Sequence, residues 1–84
     1  MNYVSDGMPI KIGDRVLVEA GSPGLVVCDF DNLECLDEYK HFLPKRVLAG
    51  GGELSSGVMI RTEQFGLIHY AEEDDSIVLV ERAE

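Results

Sequence analysis

Residues 13–30 read Gly13-Asp14-Arg15-Val16-Leu17-Val18-Glu19-Ala20-Gly21-Ser22-Pro23-Gly24-Leu25-Val26-Val27-Cys28-Asp29-Phe30, and this stretch decides the fold. Val16 and Val18 alternate with Arg15, Leu17 and Glu19, the period of two expected of a strand with one buried face. Leu25 to Phe30 is β-branched and almost continuously apolar, as in a strand covered on both sides. Between the two, Ser22-Pro23-Gly24 offers Pro to preset φ and Gly to accept a positive φ, which predicts a tight reversal there and a hairpin of strands one and two.

Working outward, Val58-Met59-Ile60-Arg61-Thr62 and Leu67-Ile68-His69-Tyr70 flank Glu63-Gln64-Phe65-Gly66, a length and closing Gly that suit a second hairpin. Ile77-Val78-Leu79-Val80-Glu81 supplies a fifth strand. Residues 31–57 form an insertion between strands two and three. Within it Leu33, Leu36, Tyr39 or Lys40, and Leu43 recur at helical spacing. Asp31 with Glu34 resembles a capping box, and Pro44 disfavours helical geometry at Leu43. Acids lie early while Lys40, His41, Lys45 and Arg46 lie late, as a helix dipole favours. Gly50-Gly51-Gly52 and Ser55-Ser56-Gly57 read as a flexible connection, and residues 1–12 as a loosely held N-terminal arm. The expectation is one mainly β domain over residues 1–84: a small five-stranded barrel or curved antiparallel sheet with a short helical insertion between strands two and three.

At Gly13-Asp14-Arg15-Val16-Leu17-Val18, Gly24-Leu25-Val26-Val27 and Ser76-Ile77-Val78-Leu79-Val80 the chain resembles small bacterial SH3-like barrels, including KOW-type modules. The resemblance implies a barrel architecture and speaks to fold, not activity. Acidity and the long insertion set this chain apart from the KOW modules that bind nucleic acid.

Eighty-four residues give one thin core, since a chain of this length buries only about 60% of its unfolded surface. With 45% hydrophobic residues the chain is too apolar for a disordered acidic tail, so its net charge of -9 sits on a folded surface. Sixteen acids against seven bases repel phosphate backbones, which argues against nucleic acid as a partner and against anionic membranes. The longest uncharged apolar stretch, Gly24 to Cys28, is far short of the roughly 20 residues of a spanning helix. The first ten residues lack the basic and apolar regions of a secretory signal, so a cytoplasmic location is expected. In that setting Cys28 and Cys35, separated by six residues, read as small core hydrophobes with free thiols.

Catalytic and metal chemistry finds little support. Asp29-Phe30-Asp31-Asn32 opens like a calcium loop, but Glu34 stands where the sixth position needs Gly and Lys40 where the twelfth needs Glu. Cys28, Cys35, His41 and His69 lack zinc-ligand spacing. A nucleophilic pair of Cys35 with His41 or His69 has no local support: acids beside Cys35 raise its pKa, and His69 reads as a half-buried strand residue. The triple Gly is not followed by Lys-Ser or Lys-Thr and so is no phosphate loop. Neither a cofactor nor a metal is expected, and the chain is read as a non-enzyme.

What remains is charge. Glu72, Glu73, Asp74 and Asp75 form the densest run, which reads first as a solvated turn and second as a surface that steers a basic partner. With Asp31, Glu34, Asp37 and Glu38 it makes the candidate partner-binding surface. The expected function is a non-catalytic acidic module that docks a basic protein, in the manner of immunity or inhibitor proteins. The alternative is an accessory subunit or homodimer associating through apolar strand faces.

Overall fold

The computed structural model describes residues 1–19, 21–42 and 56–82. Six strands form one antiparallel sheet: β1 (Arg15–Val18), β2 (Ser22–Asp29), β3 (Glu34–Cys35), β4 (Val58–Thr62), β5 (Gly66–Tyr70) and β6 (Val78–Glu81). Their order is β5-β4-β2-β1-β6, with β3 paired to β2. The mainly β expectation holds. The five-stranded closed barrel does not: β3 adds a strand, and the sheet ends at β5 and β6 without joining.

The β1–β2 hairpin forms, but its reversal lies before the predicted one. Val18 pairs with Ser22, so the chain has already reversed before Ser22, and Ser22-Pro23-Gly24 belongs to β2. Gly21 supplies a left-handed conformation, at φ 92°, immediately before β2. Pro23 is tolerated because the β2–β4 ladder begins only at Gly24, leaving one side of Pro23 without a neighbouring strand to hydrogen-bond. Gly24 serves close packing: a Cβ there would lie 2.7 Å from Ile60 Cγ2.

A bulge at Val27 explains the continuous apolar run of β2. Val26 pairs with Ile60 and Cys28 with Met59, so Val27 is the extra residue, and the strand bends to feed both faces of the sheet. One face holds the larger core, with Val16, Val18, Val26, Val58, Ile60, Tyr70 and Ile77. The other holds Val27, Cys28, Phe30, Cys35 and Met59.

Two expectations are overturned on these faces. Residues 1–12 are not a loose arm, because Tyr3 and Ile10 are fully buried in the larger core and Asn2 bridges to Pro9. The anchor is Asp14, buried at the head of β1, whose Oδ2 accepts bonds from the Tyr3 hydroxyl at 2.6 Å and the Lys11 amide at 3.0 Å. The insertion, in turn, carries a 3-10 helix over Asp37–Phe42 and not an α-helix from Asp31. Leu36, Tyr39 and Phe42 pack on the smaller core at a spacing of three, the period of a 3-10 helix, whereas Leu33 is exposed. Asp31 caps no helix, since its Oδ1 accepts the Gly57 amide. The expected helix end at Leu43-Pro44, the basic residues Lys45 and Arg46, and the loop at Gly50-Gly51-Gly52 lie outside the described residues.

Cys28 and Cys35 also depart from expectation. They are direct register partners across β2 and β3, and the structure joins them as a disulfide inside the smaller core. The bond ties β3 and the 3-10 helix behind it to the central strand.

Candidate functional site

The candidate carboxylates sit on two turns that the fold brings together. The first follows β2. There Asp29 is buried and holds the turn with its own side chain, Oδ2 accepting from Asn32 Nδ2 at 2.7 Å. Leu33 takes a positive φ of 54°, unusual for a branched side chain, and sends the chain back into β3. That reversal leaves Asp31 and Glu34 on the surface, with Asp37 and Glu38 exposed in the first turn of the 3-10 helix.

The second turn precedes β6. Asp74 Oδ1 accepts the Ser76 amide at 2.8 Å, a local side-chain turn that leads Ile77 into the core. Glu72, Glu73 and Asp75 are exposed around it, and Asp74 is half-buried.

The N-terminal segment joins the two turns. The Met1 nitrogen lies 3.2 Å from Asp31 Oδ2, and the Asn2 amide donates to Glu73 Oε2 at 2.9 Å. Successive backbone nitrogens therefore hold one carboxylate from each turn, which places Asp31 and Glu73 within about 10 Å of each other. Seven of the eight candidate carboxylates are exposed; the N-terminal segment brings together Asp31 of the first turn and Glu73 of the second, whereas Asp37 and Glu38 ride on the 3-10 helix packed on the smaller core, the face of the sheet opposite Tyr3 and Ile10.

These groups are not equally free. The Gly57 amide, followed by the contact to the chain's first nitrogen, holds the Asp31 carboxyl below its ordinary pKa. Bonds from Ser76 do the same for Asp74. Asp37 has Lys40 beside it at 3.1 Å, an exposed pair of little net strength. Glu34, Glu38, Glu72 and Asp75 have no such partner among the described residues.

The histidine and the thiols are occupied with structure. His69 Nε2 lies 2.8 Å from the Ser56 carbonyl, and its ring meets the edge of Phe30 at 5.6 Å. Cys35 is bonded to Cys28. Among the described residues no three His, Cys, Asp or Glu side chains converge in a way that could hold a metal ion. No helix among them is long and apolar enough to cross a membrane.

Sequence reasoning missed one polar feature. Arg15 and Arg61 are register partners of Leu25 from either side, which puts two arginines on one row across the sheet, flanking a leucine. Strand alternation puts all three on the face that carries the smaller core, where Leu25 packs half-buried, and only the pairing register brings them together.

No protein family, curated relative or solved structure matches this chain.

Proposed function

We propose that this chain is a non-catalytic binding module whose acidic surface docks a basic protein partner, in the manner of immunity or inhibitor proteins. The observation that carries the reading is the joining of two acidic turns, 42 residues apart at Asp31 and Glu73, across the Met1-Asn2 backbone. Four of the candidate carboxylates, Glu34, Glu38, Glu72 and Asp75, are engaged with no cation of their own among the described residues. A net charge of -9 raises the encounter rate with a positively charged surface and penalises acidic competitors.

The test is capture of partners from the native host at low and at physiological salt. Recovery of basic proteins whose binding falls as salt rises, and falls again in a Glu34→Gln, Glu38→Gln, Glu72→Gln variant, supports the reading. Recovery of neutral or acidic partners with salt-insensitive binding overturns it.

A second reading has its own observation. The sheet leaves β6 at its edge with Val78 43% and Val80 59% exposed. Apolar side chains on an edge strand favour an accessory subunit or a homodimer, because unpaired strand edges recruit other strands. Against that, the bulge at Val80 between its β1 partners Arg15 and Val16 interrupts the ladder, a device that blunts edges. Light scattering separates the two: a monomer soluble without partner favours the acidic module. The resemblance to SH3-like barrels stays a proposal about architecture, supported by the last strand lying beside the first.

A further inference from the structure

The geometry points to a phosphate-binding site formed by Arg15 and Arg61 over Leu25, on the face of the sheet that carries the smaller core and beside the 3-10 helix, whose Tyr39 hydroxyl Arg61 contacts. Arg15, Pro23, Gly24, Leu25, Arg61 and Glu63 line a groove of about 130 Å³. The antiparallel register sets Arg15 and Arg61 two strand spacings apart, roughly 10 Å between Cα atoms, with Leu25 midway. Both residues line the groove beside the leucine, Arg15 with its Nε toward Glu81 on β6 and Arg61 with Nη1 toward Tyr39, and a ligand over Leu25 would draw the two forks inward from opposite sides.

In a chain with sixteen acids and seven bases, each guanidinium has a surplus of carboxylates available. These two are poorly used. Arg15 Nε lies 3.7 Å from Glu81 Oε1 with both side chains 72% exposed, a pair that water and salt largely screen. Arg61 donates only a long bond, 3.4 Å, to the Tyr39 hydroxyl. Both forks keep donors for a ligand.

The shape of the pair selects the anion. A carboxylate has two oxygens, which one guanidinium fork already engages bidentately. A phosphate monoester has three terminal oxygens on a tetrahedral centre and a double charge, so two forks approaching from opposite sides are both satisfied. Leu25 and Pro23 offer the organic substituent an apolar floor. Glu63 at the rim opposes any anion, and that gives the site a sign that can be checked.

The experiment is amide NMR of the full chain titrated with inorganic phosphate and, separately, with phenyl phosphate, at constant ionic strength. The expected result is saturable shifts centred on Arg15, Leu25 and Arg61, tighter for phenyl phosphate because its ring rests on Leu25. Arg61→Gln should weaken binding about tenfold or more, and Arg61→Lys should weaken it less, since the charge stays and the fork is lost. Glu63→Gln should tighten binding. Both substituted positions are exposed, so the fold is retained and the spectrum reports it directly. Shifts that follow ionic strength without saturating, or equal affinity in Arg61→Gln and the unaltered chain, overturn the proposal. Saturation by inorganic phosphate with no gain from the phenyl group confines the site to free phosphate and removes the apolar floor from the argument.

Discussion

Replacing Asp14 with Ala should destabilise the protein by about 3–5 kcal/mol, as expected when one partner of a buried polar network is removed. Asp14 is fully buried, and its Oδ2 collects the Tyr3 hydroxyl at 2.6 Å, the Lys11 amide at 3.0 Å and Arg82 Nη2 at 3.3 Å. The Ala variant strands two donors, the Tyr3 hydroxyl in the core and the Lys11 amide beside it, at about 1–3 kcal/mol each. Arg82 adds less, because its side chain is 29% exposed and water can solvate it once the carboxylate is gone. Against a total stability of about 4–13 kcal/mol for a chain this long, such a loss is severe. Tyr3→Phe should cost about 1.5–3 kcal/mol, since it removes one donor to a charged acceptor and leaves the others in place. Urea unfolding of the two single variants and the double variant completes a cycle in which Tyr3 and Asp14 couple by about 1 kcal/mol or more. A loss below about 1 kcal/mol in Asp14→Ala, or additive effects in the cycle, would refute the claim that this network pins residues 1–10 to the sheet.

Three further outcomes follow from individual residues. Burial and the neighbouring carboxylates of Asp14 and Glu19 raise the Tyr3 and Tyr70 hydroxyls well above their ordinary pKa, so their stabilising effect is complete below about pH 10 and is lost as pH rises beyond it. Urea midpoints measured on a rising pH series should therefore fall above about pH 10, with a shallower fall in Tyr3→Phe. Gly57→Ala should cost about 3 kcal/mol or more by the same unfolding assay, because φ is 84° and the new Cβ would run into the Tyr70 carbonyl oxygen; wild-type stability in that variant would mean the β4–β5 ladder is not rigid at Val58. Reducing the Cys28–Cys35 disulfide with a dithiol, which opens a ring closed over a sequence separation of 7, should lower stability by about 2 kcal/mol. An unchanged midpoint would show that the smaller core holds β3 unaided.

The strands were legible because burial on a pleated sheet writes itself as alternation: Val16 and Val18, Val58 and Ile60 are each separated by a residue facing the other way. Turns were less legible. Pro23-Gly24 has turn chemistry, yet it sits in β2 because the chain has already reversed before Ser22 and because Gly24 must admit Ile60, a contact 36 residues away in sequence. The apolar spacing at Leu36 and Tyr39 was visible, but the next residue of the row is Phe42, the period of a 3-10 helix; continuing it to Leu43 and back to a cap at Asp31 imposed an α-helix. Asp31 escapes the capping role because Gly57, in a distant loop, offers a donor. The N-terminal segment looked loose for the same reason, its anchors being Asp14 and Arg82. Of the candidate surface, the acids themselves could be read off the chain, whereas the meeting of Asp31 and Glu73 at Asn2 depends on tertiary placement alone. The cysteines were misread because strand β3 is two residues long and gives no alternation to detect.

The two proposed surfaces have opposite relations to the field of the whole molecule. A net charge of -9 attracts a basic partner from beyond a Debye length, about 8 Å at physiological salt, so the acidic turns gain in association rate and lose it as salt is added. An anionic ligand approaching Arg15 and Arg61 meets repulsion from that same charge until it is within contact distance of the guanidinium forks. Salt then acts twice on it, relieving the repulsion during approach and weakening the attraction on arrival, so its net salt dependence is shallow. A steep loss of binding with salt therefore belongs to the acidic surface, and a flat one that still vanishes in Arg61→Gln belongs to the sheet. A domain this small has room for both proposed surfaces because the core consumes so few polar groups: among the described carboxylates only Asp14 and Asp29 are buried, and the others are left partly or fully on the surface.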